Sequence, residues 1–310
     1  MTFGLQIDER AAVTVLDRAA EGGVTFLDTA DAYPLGGGLD LAGTTEEIVG
    51  RWLKDKRHQF VLATKVYGRT GPQAWDFGNS RRHIMDAIDA SLRRLGTDYI
   101  DLYQLHQEDP ETPVDETLGA LDDLVRAGKV RYIGCSNFLA YRLARAIGRS
   151  ETLGLARFDS VQPRYNLLFR EFERELFPLC LEEGVGVIPY NPLAGGMLSG
   201  KHRRGQPPAE GTRFTISNAG AMYQERYWHE REFDTVDAFL KIAKEAGMKP
   251  ATLAIAWVLR QPAVTAPIIG ASRPEQLEDT LAAAEVQLEH DLVARLDTLT
   301  REFRRGDTAR

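Results

Sequence analysis

Three successive apolar runs carry an acid, a phenol, an amine and an imidazole at or just past their ends. Asp28 lies in VTFLDTA and Tyr33 follows it by five residues; Lys65 lies in FVLATKV, and His106 ends YIDLYQLH. Singly, Asp28 reads equally as a turn cap, Tyr33 as a loop aromatic and His106 as a satisfied core histidine. Lys65 is different, because an amine at the end of an apolar strand is seldom there for packing. Together they make chemical sense. A phenol of ordinary pKa, about 10, is a poor proton donor at neutral pH. A neighbouring ammonium stabilises the phenolate and improves the phenol as a general acid. A carboxylate keeps that ammonium charged and oriented, and an imidazole holds a carbonyl oxygen or relays a proton. This equipment suits carbonyl reduction where a hydride source is bound nearby.

Such a group needs elements that bring their ends to one place. Further runs follow at VRYIGCSN, FDSVQPRYN, VGVIPYNP and VTAPIIGAS, starting at Val130, Phe158, Val185 and Val264. Rich in Val, Ile and Leu with little alternation, they read as strands buried on both faces of a parallel sheet. Between them lie helical stripes: HIMDAIDASLRRLG with Ile84, Ile88, Leu92 and Leu95 on one face, DETLGALDDLVRAGK with Leu118, Leu121 and Leu124, and FREFERELFPLCLEEG ending at Gly184. Strand and helix in alternation predict βαβ units. With an eighth strand placed at the extreme N-terminus, the count favours a closed (β/α)8 TIM barrel in one domain, residues 1–310. A barrel collects its active site at the C-terminal strand ends. Residues 34–44 and 195–221 read as lids or binding loops.

With 43% hydrophobic and 27% charged residues, the chain supports a sizeable core and is no disordered protein. Its net charge is −7 and its basic residues are scattered, which predicts no nucleic-acid footprint. No run spans a bilayer and no signal peptide opens the chain. Cys135 and Cys180 read as reduced thiols of a cytoplasmic protein. No His and Cys spacing suits zinc, so no metal is expected.

The strings FLDTADAY, LATK, YQLH, GCSNF, SVQPRYN, IPYNPLAGGMLSGK and PIIGASRPEQLED, in that order, resemble the segments of the aldo-keto reductase superfamily. The likeness covers nearly the whole chain and is nearest to bacterial members that resemble voltage-gated potassium channel β subunits. It implies an NADPH-dependent oxidoreductase that reduces an aldehyde or ketone to an alcohol. Tyr33 would be the general acid, Lys65 and Asp28 its tuners, and His106 the substrate-orienting residue. Ser136, Asn137 and Gln162 would hold the nicotinamide carboxamide, and Tyr190 would stack on its ring. The segment with Pro192, Leu193, Gly195, Gly200 and Lys201 would run along the pyrophosphate. Gly270 would belong to the cofactor site. Ser272 and Arg273 would meet the 2′-phosphate of NADP, with Gln276 and Asp279 near adenosine.

The chain departs from the family pattern twice. MTFG resembles the end of the family's first strand, so the N-terminal hairpin and most of that strand are missing. Either the natural chain starts upstream of Met1 or it folds with an incomplete first strand. Thr280 stands where Asn commonly contacts adenine, and one hydroxyl replaces an amide's donor and acceptor.

Other chemistries fit less well. GGMLSGKH nearly matches a P-loop, but His202 stands where a Ser or Thr binds Mg²⁺, and no G-x-G-x-x-G is present. Cys135 has no visible base. A strand-end lysine can form Schiff bases, against which the nicotinamide motifs argue. A cofactor-binding accessory or sensor subunit with little turnover is the alternative that the channel-subunit likeness allows. Substrate choice would lie in the loops, including Trp75, Phe77, Tyr223, Tyr227 and Trp228. The implied partner is a small carbonyl compound, with no membrane insertion, and an oligomer is allowed.

Overall fold

The computed structural model describes residues 1–309, which form two compact units, Met1–Gln162 and a second beginning at Pro163. In the first unit the order is α1 (Glu9–Glu21), β1 (Phe26–Asp28), α2 (Thr44–Leu53), β2 (Val61–Val66), α3 (Arg81–Leu95), β3 (Ile100–Leu105), α4 (Val114–Arg126), β4 (Val130–Ser136), α5 (Ala140–Leu153) and β5 (Phe158–Gln162). The five strands are parallel and sequential, as helical crossovers between apolar strands require. The register sets Asp28 opposite Ala63, Lys65 opposite Gln104, Gln104 opposite Gly134, and Ser136 opposite Gln162.

Alternation along a strand then sorts the side chains. Thr64 turns toward α2, where its hydroxyl meets Glu46, while its neighbour Lys65 turns the other way to Asp28. The helices stop and start where local chemistry dictates. Ser80 caps α3 by accepting from the His83 amide at 3.3 Å, and Gly96 closes it in the left-handed conformation.

At the N-terminus no full first strand forms, in keeping with the likeness of MTFG to the end of a strand. Residues 1–7 make a turn closed by a single bridge between Phe3 and Ile7, and the first strand among the described residues is β1.

The second unit contains α6 (Leu176–Glu183), β6 (Gly186–Val187), α7 (Ser217–Tyr227), α8 (Glu230–Glu245), α9 (Pro250–Leu259), α10 (Glu275–Leu281) and α11 (His290–Leu299). Its expected strands are much shorter than their apolar runs. β6 has two residues, and the Val264 run makes only the bridges Val187–Val264 and Tyr190–Ile268. Pro189, Pro192 and Pro267 interrupt both runs, and a proline has no N–H for a ladder. The helix expected across FREFERELFPLCLEEG begins only at Leu176, after a 3-10 turn at Glu171–Glu173. Pro178 tolerates only the first turn of a helix, which forces this late start. At the core of this unit Trp257 is fully buried and stacks on Tyr165 at 5.3 Å, with Arg170 over its ring at 4.9 Å. No helix among the described residues is long and apolar enough to cross a membrane.

Two helical glycines separate packing from propensity. A Cβ on Gly50 would lie 2.4 Å from the Arg94 carbonyl oxygen, whereas one on Gly148 would meet nothing within 4 Å. Gly50→Ala is therefore expected to destabilise by about 1–3 kcal/mol, and Gly148→Ala to stabilise by roughly 0.5–1 kcal/mol. Urea unfolding of both variants checks the pair.

Candidate active site

The first unit assembles the four proposed catalytic residues. β1 and β2 run side by side, so Asp28 at the end of β1 faces Lys65 near the end of β2. The Lys65 ammonium donates to Asp28 Oδ2 at 2.5 Å and to the Thr29 carbonyl at 2.9 Å, and its side chain is 0% exposed. The turn after β1 is tied to β2 by the Asp31 amide, which donates to the Lys65 carbonyl at 3.0 Å. That turn delivers Tyr33, whose ring centroid lies 5.4 Å from Lys65 Nζ. His106 follows β3 directly, and its amide donates to the Val66 carbonyl at 2.8 Å. Its ring meets Tyr33 edge-on with centroids 5.5 Å apart, and Tyr33 Oη lies 3.4 Å from His106 Nε2, long for a hydrogen bond.

Electrostatics fix one protonation state here. Burial, then the Lys65 charge, push the His106 imidazole down to about 3, with Asp28 opposing. The residue is half-buried, which softens the burial contribution more than the repulsion by Lys65. His106 is therefore neutral at physiological pH, with one nitrogen donating and the other accepting.

Asp28 has more partners than its sequence context suggests. Gln104 Nε2 donates to Asp28 Oδ1 at 3.0 Å, and Gln162 Nε2 donates to the same oxygen at 2.9 Å. Gln104 was missed in the sequence. The available signal was a polar residue inside an apolar strand, sharing strand parity with His106. Gln162, expected to hold a carboxamide, spends an amide N–H on Asp28. Ser136 Oγ donates to the Gln162 carbonyl at 2.7 Å, and Asn137 Nδ2 donates to the His106 carbonyl at 2.9 Å. Asn137 has φ 61°, a left-handed conformation that asparagine tolerates. Ser136, Asn137 and Gln162 thus stand together beside His106.

Of the loop aromatics in this unit, Trp75 is 44% exposed and carries the Arg82 guanidinium 4.1 Å from its ring centroid. It is a surface cation–π pair. Phe77 instead packs edge-on against Tyr67 at 4.6 Å, two residues after Lys65.

In the second unit, Tyr190 bridges Arg164 and Ile268. Pro192 and Gly195 are buried, and Leu193 and Gly200 half-buried, in a tight turn rich in left-handed residues. Gly196 in that turn has φ 104°, and a Cβ there would lie 2.9 Å from Lys201 Nζ. The glycine therefore lets the amine approach the backbone. The Lys201 amine is held below the usual lysine range, first by surrounding protein and then by repulsion from Arg213 and Arg273. Since the side chain is exposed, water weakens the first cause, and the guanidiniums matter more. Arg213 was not singled out in the sequence, because a lone Arg in a polar loop carries no periodic signal. Among the described residues, neither Lys201 nor Arg213 pairs with a carboxylate. Lys201 is thus repelled by two guanidiniums, a local concentration of positive charge that would favour an anion. Gly270 is exposed and lies against Arg213. The Ser272 amide donates to Gln276 Oε1 at 2.9 Å, fixing the first turn of α10, while Asp279 on that helix is exposed. The Thr280 hydroxyl donates back to the Leu277 carbonyl at 3.0 Å and is buried, so it is not presented outward as an amide substitute.

Comparison with known proteins places these motifs. The model of the aldo/keto reductase family matches residues 1–301. An uncharacterized oxidoreductase, YrpG of Bacillus subtilis, is 38% identical, covering 96% of this chain and 90% of its own. The aldo-keto reductase dtxS3 of Metarhizium robertsii is 35% identical over 92% of this chain and 80% of its own. A probable voltage-gated potassium channel subunit beta of Arabidopsis thaliana is 34% identical over 92% and 85%.

Two outcomes follow from the geometry. Asp28→Ala leaves a buried ammonium without its anion and is expected to cost about 3–5 kcal/mol in urea unfolding. His106, with its folded pKa depressed, binds fewer protons folded than unfolded between about pH 6.5 and 3. Its contribution to stability is thus lost as pH falls through that window, by at most about 1.4 kcal/mol per pH unit. His106→Gln is expected to flatten the stability–pH slope there by a measurable part of that amount.

Proposed function

The chain belongs to the aldo/keto reductase family, oxidoreductases on a (β/α)8 barrel, and from that premise we propose that it reduces an aldehyde or ketone to an alcohol with NADPH. The observation that carries this reading is the ammonium of Lys65, buried against Asp28 and lying 5.4 Å from the Tyr33 ring. Tyr33 donates its proton to the substrate oxygen as that oxygen gains charge. Lys65 stabilises the phenolate left behind, and Asp28 holds the Lys65 ammonium in place. Neutral His106 offers a ring nitrogen to the same oxygen and keeps it oriented. A bound nicotinamide supplies the hydride.

The residues present fit that cofactor. Ser136, Asn137 and Gln162 carry the amide and hydroxyl groups that suit a carboxamide. Tyr190 supplies a flat ring, and the turn with Pro192, Leu193, Gly195 and Gly200 offers backbone that a pyrophosphate can approach closely at its left-handed glycines. Lys201, Arg213 and Arg273 supply positive charge for phosphates, with Gly270 against Arg213, Ser272 tied to Gln276, and Asp279 exposed on α10 for the adenosine end. NADP over NAD is supported by Arg273, exposed at the start of α10, since a 2′-phosphate answers a guanidinium. A Schiff-base role for Lys65 is disfavoured, because its amine is fully buried and paired with a carboxylate. We place the protein in the cytoplasm as a single domain, acting on a small carbonyl compound.

NADPH binding followed by tryptophan fluorescence, and turnover of a small aldehyde panel followed by nicotinamide absorbance, test the reading. Tyr33→Phe is expected to keep binding and to lose turnover at least about 10²-fold. Arg273→Ala is expected to weaken NADPH by roughly 10- to 100-fold and NADH little. Binding with no turnover on any carbonyl would favour an accessory or sensor role, as the name of the Arabidopsis relative suggests.

A further inference from the structure

The turn between β1 and Tyr33 holds a second acid that the reaction above does not use. Asp31 is 0% exposed, and neither carboxyl oxygen has a hydrogen-bond partner. The nearby donors are committed elsewhere. Arg94 on α3 gives its Nε to Glu46 of α2 at 2.7 Å and its Nη2 lies equally close to that carboxylate. The Thr64 hydroxyl donates to the other oxygen of Glu46 at 2.5 Å. Lys65 is held by Asp28 and the Thr29 carbonyl. Two more buried groups in this stretch of the interior also have no partner, the Tyr103 hydroxyl on β3 and the Thr29 hydroxyl.

We propose that Asp31 is a positioning residue of this site, an uncharged buried acid whose neutrality leaves the Lys65 ammonium to Asp28 and the Tyr33 phenol. The proposal rests on Tyr33 being the proton donor. A buried carboxylate with no well-formed hydrogen bond, beside cations already committed to other acids, is not sustained in such surroundings, so the group keeps its proton. Burial, and next the charge of Glu46, hold the Asp31 carboxyl well above the usual range, with Arg94, the Ala32 amide and Lys65 opposing. Tyr103 is pushed up as well, by burial and then by Asp31. The titratable and charged groups that face Asp31 are therefore Glu46 from α2, Arg94 from α3, Lys65 from β2 and Tyr103 from β3.

The consequence reaches the reaction through Lys65. An ionised Asp31 would be a second anion within reach of the ammonium and two residues from Tyr33. It would disfavour the phenolate and so weaken the phenol as an acid. A neutral acid at this position preserves the phenol's acidity, and its ionisation at alkaline pH withdraws that support. An asparagine would lack this response, which distinguishes a switchable carboxyl from a mere packing residue.

Infrared spectra of the full chain at neutral pH, with carbon-13 in the aspartate side chains, test the protonation state. A protonated-carboxyl band is expected in the wild type and absent in Asp31→Asn. Carbon-13 NMR of the tyrosine ζ carbons, assigned with Tyr33→Phe, is then expected to show Tyr33 titrating about one pH unit lower in Asp31→Asn. Tyr103→Phe is a second variant, expected to keep the band but shift its frequency. A wild-type spectrum without a protonated aspartate, or an unchanged Tyr33 titration in Asp31→Asn, would overturn the proposal. Neither measurement needs cofactor or turnover, so their failure is distinguishable from failure of the reductase reading, which the aldehyde assay decides.

Discussion

A lysine ammonium with no exposure to water is tenable only if protein groups replace its hydration, and the first unit is arranged around that requirement at Lys65. Asp28 supplies the counter-charge and the Thr29 carbonyl a second acceptor. Asp28 in turn is held by Gln104 and Gln162, from the third and fifth strands. One ion pair thereby ties together β1, β2, β3 and β5. Replacing such a pair by apolar residues can leave stability unchanged, so the pair itself is no argument for stability. Its value is positional. It holds a positive charge beside a phenol in a place where water cannot screen it.

The same unit treats its buried titratable groups in different ways. Asp28 has three side-chain donors, and Glu46 has Arg94 and Thr64. Asp31 has none. His106 stays neutral because burial, and then the charge that would stabilise Tyr33 as phenolate, disfavour a second proton on the imidazole. These states are mutually dependent. Lys65 and Asp28 are committed to each other, burial and the Lys65 charge keep His106 neutral, and Asp31 is left without a side-chain donor.

The second unit solves the opposite problem. There the backbone adopts left-handed conformations at Asn191, Ala194, Gly195, Gly196 and Gly200, while Lys201, Arg213 and Arg273 gather with little compensation. The repulsion of Lys201 by the two guanidiniums is unfavourable, and an anion there would relieve it. Strain and repulsion of this kind are local costs that a ligand can offset.

The sequence by itself determined where the apolar strands of the first unit lie, because buried parallel strands need continuous apolar runs and these are visible in one dimension. β4 spans Val130–Ser136, where its run begins, and Asp28, Lys65 and His106 stand at strand ends as expected. The order of motifs likewise identified the family. What only the tertiary structure decided are partners set by register. Gln162 reaches Asp28 across 134 residues of chain, and no local period of 2 or 3.6 encodes that distance. Arg213 joins Lys201 by the course of a loop, and Thr280 turns its hydroxyl into its own helix. Prolines shortened the apolar runs of the second unit, and the N-terminal residues closed a turn instead of a strand. Asp31 and Asp28 are three residues apart in one motif and look alike in sequence. Only the tertiary structure gives Asp28 three side-chain donors and Asp31 none, because a carboxyl's partners depend on what surrounds it in space.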